Sequence, residues 1–265
     1  MEERKEYYGH DIQFSTDLKM IALINGGGIN IYASEDGSSI QSIPVQTHEE
    51  SKVLFHPSGK MITHMNLNTL SAFKLPSAEL MWEIEVSGGC GYDIWEFSHN
   101  GELFGMSNLD QASKICKSDT GEKIGLLKKG NDERVNEIHF SKDDKKIITC
   151  SYDKAIRIWD VDRSELIHKM DAAHESMDSV VTTDDFLTGV SFSSWDNTFY
   201  LWDLENGELM DKISMDFSVE DFKLISSQSK PHKLIVVGMN DYKRDSSINA
   251  VNKKPIAIQI CSILF

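Results

Sequence analysis

Apolar and polar positions alternate along most of this chain in short runs, separated by clusters of Asp, Asn, Ser and Gly. Runs of period two predict β-strands, and the clusters predict the turns between them. The clearest case is Thr149-Cys-Ser-Tyr-Asp-Lys-Ala-Ile-Arg-Ile-Trp-Asp160, with Ile156 and Ile158 on one face and Arg157 and Trp159 on the other. Ser151 to Lys154 is its turn. Forty-three residues later the chain writes Ser193-Ser-Trp-Asp-Asn-Thr-Phe-Tyr-Leu-Trp-Asp203, so Asp153, Trp159 and Asp160 map onto Asp196, Trp202 and Asp203. Forty-three residues earlier, Ser107-Asn-Leu-Asp-Gln-Ala-Ser-Lys-Ile-Cys116 keeps Asp110 but carries Cys116 in place of the tryptophan. Three aspartates at one interval are a repeat, and a repeat of this length predicts stacked supersecondary units.

A second mark extends the phase. Phe14-Ser-Thr-Asp17, Phe55-His-Pro-Ser-Gly59, Phe97-Ser-His-Asn-Gly101 and Phe140-Ser-Lys-Asp143 follow one another at intervals of 41, 42 and 43 residues. Steps of 41 carry the mark to Val181 and then to Phe222, giving six units over nearly the whole chain. The period and the Trp-Asp ending of a strand resemble the WD-repeat (WD40) β-propeller family. The resemblance is specific at Trp159-Asp160 and Trp202-Asp203 and fainter elsewhere. It implies an all-β fold: a propeller of six four-stranded blades, with seven blades or an incomplete propeller as alternatives, in one domain spanning 1–265. Blades arranged radially leave no long sheet edge open.

In chain order, Gly9-His10 stands where the family opens a unit with Gly-His. Asn25-Gly-Gly-Gly28 reads as a turn needing positive φ rather than a phosphate loop, since neither Gly-x-Gly-x-x-Gly nor Gly-x-x-x-x-Gly-Lys is present. Tyr32 and Phe73 hold the tryptophan position of units one and two, and Leu67 replaces the aspartate. Unit six loses the pattern at Asn240 to Lys254, read as an exposed insertion. Ile256 to Cys261 then supplies its third strand, and the chain stops at Ser262-Ile-Leu-Phe265 where a fourth would begin.

Forty-two acidic against 27 basic residues leave a net charge of −15. That disfavours binding to a phosphate backbone, which relies on Lys and Arg to displace counterions. It favours partners with basic or polar groups. The absence of a long apolar run argues against a spanning helix, and the charged residues 1–10 do not read as a signal peptide, so none is expected. The four cysteines are scattered and read as buried, reduced thiols, so an intracellular, cytoplasmic location is expected, with a nuclear one possible in principle.

The family uses the unit's His, a Ser or Thr, the turn Asp and the strand Trp as a buried hydrogen-bond chain. The resemblance assigns these structural places to His10, His174, Thr149, Asp110, Asp153, Asp196, Trp159 and Trp202. In unit five, Phe192 falls on the Ser/Thr position. No metal-ligand pair or nucleophile turn is found; His56, His64, His99 and His139 read as isolated, and the inner strands read apolar. Catalytic residues, metal and cofactor are therefore not expected. Tyr152 and Trp195 each precede the repeat aspartate, in turns that the family places on one rim. Residues six and four before the first-strand mark face that rim as well: Tyr8 and His10, Arg134 and Asn136, Glu175 and Met177. Glu175 and Asp93 add acidic character there. The expectation is a non-enzymatic scaffold binding proteins or peptides through this rim, with Trp195 packing on the neighbouring blade as the competing account. A propeller enzyme with a central-channel site is one alternative. A ubiquitin-ligase substrate receptor is another, although Trp159-Asp-Val-Asp-Arg163 has one residue too many for that motif and Trp202-Asp-Leu-Glu205 lacks the arginine.

Overall fold

The computed structural model of the chain describes residues 11–86, 94–107, 113–127, 134–171, 177–225 and 232–239, with the backbone of 256–263. Those residues contain strands and turns and no helix. Consecutive strands pair antiparallel into six sheets. The first holds β1 (Asp11–Phe14), β2 (Met20–Asn25), β3 (Gly28–Ala33) and β4 (Ser39–Ile43). The second holds β5 (Lys52–Phe55), β6 (Met61–Asn66), β7 (Thr69–Lys74) and β8 (Glu79–Glu85). The third is β9 (Ile94–Phe97), β10 (Leu103–Ser107), β11 (Ser113–Lys117) and β12 (Lys123–Leu127). The fourth is β13 (Val135–Phe140), β14 (Lys146–Ser151), β15 (Ala155–Asp160) and β16 (Glu165–Asp171). The fifth is β17 (Ser179–Thr182), β18 (Thr188–Ser193), β19 (Thr198–Asp203) and β20 (Glu208–Ser214); the sixth is β21 (Ser218–Ile225), β22 (His232–Met239) and β23 (Ile256–Ile263). Five sheets thus have the expected four strands, and the sixth has three among the described residues. Ile256 to Ile263 pairs with β22, as its alternation predicts. The expected insertion at 240–254 lies outside the described residues.

The repeat is written into the backbone. Leu18, Gly59, Gly101 and Asp144, each four residues after the first-strand Phe, turn left-handed at φ of 59°, 68°, 76° and 58°. In the fifth sheet the same turn residue is Phe186, at 57°. Thr182 pairs with Gly189 as Phe140 pairs with Ile147, so the fifth phase mark is Thr182 and not Val181. The spacing there is one residue longer than the step carried forward. Of the three consecutive glycines only Gly28 adopts positive φ, at 121°, and a Cβ on it would stand 2.3 Å from the Ile43 carbonyl oxygen.

A second regularity lies between the third and fourth strands. In all five four-stranded sheets the register slips immediately before the tryptophan position, at Tyr32, Phe73, Cys116, Trp159 and Trp202. The residues skipped on the outer strands are Ile40, Met81, Ile124, Ile167 and Met210, all apolar and 39–49% exposed. A bulge residue has no partner in the ladder and bends its strand. Units that have lost the tryptophan keep the bulge.

Neighbouring sheets pack face to face. Middle strands are therefore enclosed on both sides, and β14 and β15 are buried at every position but one each. Outer strands alternate with solvent, as β16 does. Ile31 and Phe55 meet between the first and second sheets, and Trp82 stacks on Phe104 between the second and third. Phe140 and Trp159 close on Ile115 between the third and fourth. Met177 and Trp202 fill the next seam with Ile148, and Phe199 with Leu234 the one after. Cys116 and Cys150 are free thiols buried in these seams, where burial pushes the first up to about 11 and the second well above its ordinary value.

Candidate protein-interaction rim

An antiparallel sheet of four strands places its second-to-third turn on the opposite end from its other two turns. The β14–β15 and β18–β19 turns therefore share one end of the stack with the connections into β13 and β17. Each turn carries an aromatic residue immediately before its aspartate. Trp195 is 76% exposed and Tyr152 is 43% exposed. The turns differ in length. Three residues separate β14 from β15 and four separate β18 from β19, the additional one being Ser194. The positive φ of Lys154 and Asn197, directly after the two aspartates, fixes the alignment.

Polar bonds hold the backbone of this rim still. The Arg134 carbonyl accepts from the Tyr152 N–H and from Ser151 Oγ, both at 3.0 Å. The Arg134 guanidinium lies 4.7 Å from the centre of the Tyr152 ring, a cation–π arrangement, while its Nε donates to Asn136 Oδ1 at 3.2 Å. Asn136 Nδ2 in turn donates to the Met177 carbonyl at 2.6 Å, tying the fourth sheet to the fifth. Beside Trp195, the Ser194 N–H donates to Asp178 Oδ2 at 2.6 Å, and Asn197 Nδ2 donates to the Met215 and Phe217 carbonyls. A cavity of about 450 Å³ opens next to that turn, lined by Ser194, Asn197, Asp216 and Ser218 among others.

Of the residues anticipated at the rim, Tyr152, Trp195, Arg134 and Asn136 are therefore on it. Met177 is not available there: its side chain is 0% exposed and packs in the seam between the fourth and fifth sheets. Trp195 is not packed away on a neighbouring sheet, which removes the competing structural account. Tyr8, His10, Asp93, Asp110, His174 and Glu175 lie outside the described residues.

Beneath the turns is the buried polar layer. Trp159 Nε1 donates to Thr149 Oγ1 at 3.0 Å, and Trp202 Nε1 donates to Ser191 Oγ at 2.9 Å. Ser191, rather than the Phe192 position, serves unit five, because the longer turn moves the partner one residue back from the tryptophan. Asp153 accepts from the Ala155 N–H and from the guanidinium of Arg157, which is wholly buried. In the fifth sheet Tyr200 pairs with Ser191 as Arg157 pairs with Thr149. A phenol there replaces the cation, its pKa raised by burial and by the Asp196 charge.

The inner strands are not apolar throughout, and His139 is not isolated. His139 Nδ1 stands 2.6 Å from Glu96 Oε2 on the third sheet, and Nε2 is 3.4 Å from Glu137 Oε2 on its own strand. Burial would push the imidazole down, but the hydrogen bonds to Glu137 and Glu96 and their charges raise it to about 10. Glu137 Oε2 also accepts from Ser179 Oγ at 3.0 Å and the Val180 N–H at 2.7 Å; Glu96 Oε1 accepts from the Phe140 N–H at 3.3 Å. Asp11 Oδ2 takes the Val53 N–H in the same way at 3.0 Å. Carboxylates on one inner strand thus fill amide donors of the next. Glu96 uses both carboxylate oxygens in joining sheets, and Glu137 and Asp11 use one each. The sequence signal was slight: an alternation of Glu137 and His139 with Ile138 and Phe140.

Comparison with known proteins agrees with this architecture. Residues 121–160 match the family described as WD domain, G-beta repeat. The chain is 34% identical over 80 residues to the WD repeat-containing protein 26 homolog of Arabidopsis thaliana, which is 29% of this chain and 14% of that protein. It is 24% identical over 195 residues to WD repeat-containing protein 1 of Bos taurus, covering 70% of this chain and 32% of the relative. It is 23% identical over 163 residues to Actin-interacting protein 1 of Drosophila melanogaster, covering 59% and 27%. The chain spans only between 14% and 32% of these relatives.

Proposed function

We propose that this WD-repeat chain is a non-enzymatic platform, one propeller domain within a larger assembly, and that it binds protein partners through the rim carrying Tyr152 and Trp195. The observation that carries the reading is Trp195 itself. A tryptophan 76% exposed in a polar turn contributes little to folding, and its backbone is fixed by the Ser194–Asp178 bond. A rigid aromatic loses little rotamer entropy on docking, and such residues dominate binding energy at interfaces. Asp178 and Asp216 beside it favour a partner with basic or polar groups, in keeping with the net charge of −15. The use of Asp11, Glu96 and Glu137 in joining neighbouring sheets favours this reading over a central-channel enzyme. The buried free thiols accord with an intracellular setting.

Affinity capture with wild-type and Trp195→Ala chains, compared by mass spectrometry, tests the proposal. Partners held by the first and released by the second identify the rim as the site. Identical sets of partners would place the site elsewhere. Actin, named in the Drosophila relative, is a defined probe to include in that comparison.

A further inference from the structure

The opposite end of the stack carries a surface of different character. A groove of about 750 Å³ runs between the second and third sheets, where the β5–β6 and β9–β10 turns and the ends of β7 and β11 meet. Met61 and Leu103 line it, and Met81, the bulge residue of β8, stands 40% exposed within it. His56 does not offer its ring nitrogens: Nε2 is bonded to the Gly101 carbonyl at 2.7 Å and Nδ1 to Ser58 Oγ at 2.8 Å. These bonds fix the two turns against each other, so the groove is preformed.

Three lysines, Lys60, Lys74 and Lys117, line the same groove, in a chain where acidic residues outnumber basic ones by 42 to 27. Lys117 is neutralised by Glu122 at 2.6 Å and by the nearby Asp119 charge. Lys60 and Lys74 have no ion-pair partner within the described residues, and both are exposed. Glu102, the other acid of the groove, accepts a hydrogen bond from Asn100 Nδ2 at 3.3 Å. An apolar floor edged by two lysines that are held in no ion pair, Lys74 having Glu79 opposite it in the ladder, complements an apolar side chain flanked by carboxylates. A second copy of this acidic chain would meet it with broad repulsion.

We propose that the groove between the second and third sheets docks an extended acidic segment of a partner protein, its apolar anchor against Met61, Met81 and Leu103 and its carboxylates on Lys60 and Lys74. This surface is separate from the aromatic rim and selects the opposite charge, so the two can be occupied at once. The probe is a fluorescein-labelled pool of short peptides with a Leu, Met or Phe between Asp and Glu residues. The control pool carries Lys in place of the acids. The acidic pool should bind in preference to the control, weaken with salt, and bind roughly tenfold less well to Lys60→Glu/Lys74→Glu, the order expected from reversing two exposed cations. Met81→Asp should weaken it as well, while Trp195→Ala should leave it unchanged. All four positions are exposed, so each variant should keep its melting temperature. Equal binding of both pools, or full binding by the lysine double variant, would overturn the proposal. Loss of the acidic pool in Trp195→Ala would move the site to the rim and overturn it too.

Discussion

Arg157 and Asp153 form an ion pair folded back across the tip of the β14–β15 hairpin, with Nη1 donating to Oδ1 at 3.0 Å and the guanidinium 0% exposed. Two charges removed from water are tolerable only as a pair, and removing one partner leaves the other uncompensated. Asp153→Ala should therefore lower unfolding free energy by about 3–5 kcal/mol, whereas Asp153→Leu combined with Arg157→Met should lose much less. Urea denaturation of the three proteins checks this. Equal losses in the single and double variants would show that the pair is not what the aspartate serves.

The indole N–H of Trp202 has Ser191 Oγ as its partner in a wholly buried setting. Ser191→Ala strands that donor and should cost about 1–3 kcal/mol. Ser194→Ala, in the exposed turn a few residues on, should stay within about 0.5 kcal/mol. Chemical denaturation of both variants reads the contrast.

How much of this was legible depended on whether a residue's partner lay within its own unit. Trp159, Thr149 and Asp153 are near neighbours in sequence, and the repeat exposed them. Ser191 was missed because counting back from Trp202 assumes a constant turn, and Ser194 lengthens it by one residue. Met177 was misplaced for a related reason: a position relative to the phase mark locates the backbone, while the seam between two sheets decides where the side chain goes. The Glu96–His139 contact joins residues on different sheets and leaves no local period. The bulge residues Ile40, Met81, Ile124, Ile167 and Met210 were readable in hindsight from their spacing. They break the period-two pattern of their strands, so alternation alone passes over them.

His139 supplies a pH dependence with a definite sign. Its pKa in the folded protein is about 10, above the value of roughly 6.5 expected when unfolded. The folded state holds the proton more tightly, so this stabilisation is fully present below the unfolded value and is lost as pH rises through the folded one. Between pH 7 and 10 the wild type should lose stability faster than His139→Gln. The buried thiols also disfavour alkaline pH but are common to both proteins, so the difference between the two curves isolates the histidine. Thermal unfolding across that range would contradict the assignment if the curves ran parallel.

The central claim is that Trp195 serves binding and not folding, and one paired measurement tests it. Affinity for a captured partner and melting temperature are measured together on wild type and Trp195→Ala. Because the side chain is 76% exposed, the melting temperature should stay within experimental error. Loss of a hot-spot tryptophan should weaken binding by about 2 kcal/mol, some thirtyfold. Unchanged affinity, or a melting temperature that falls with it, would contradict the account.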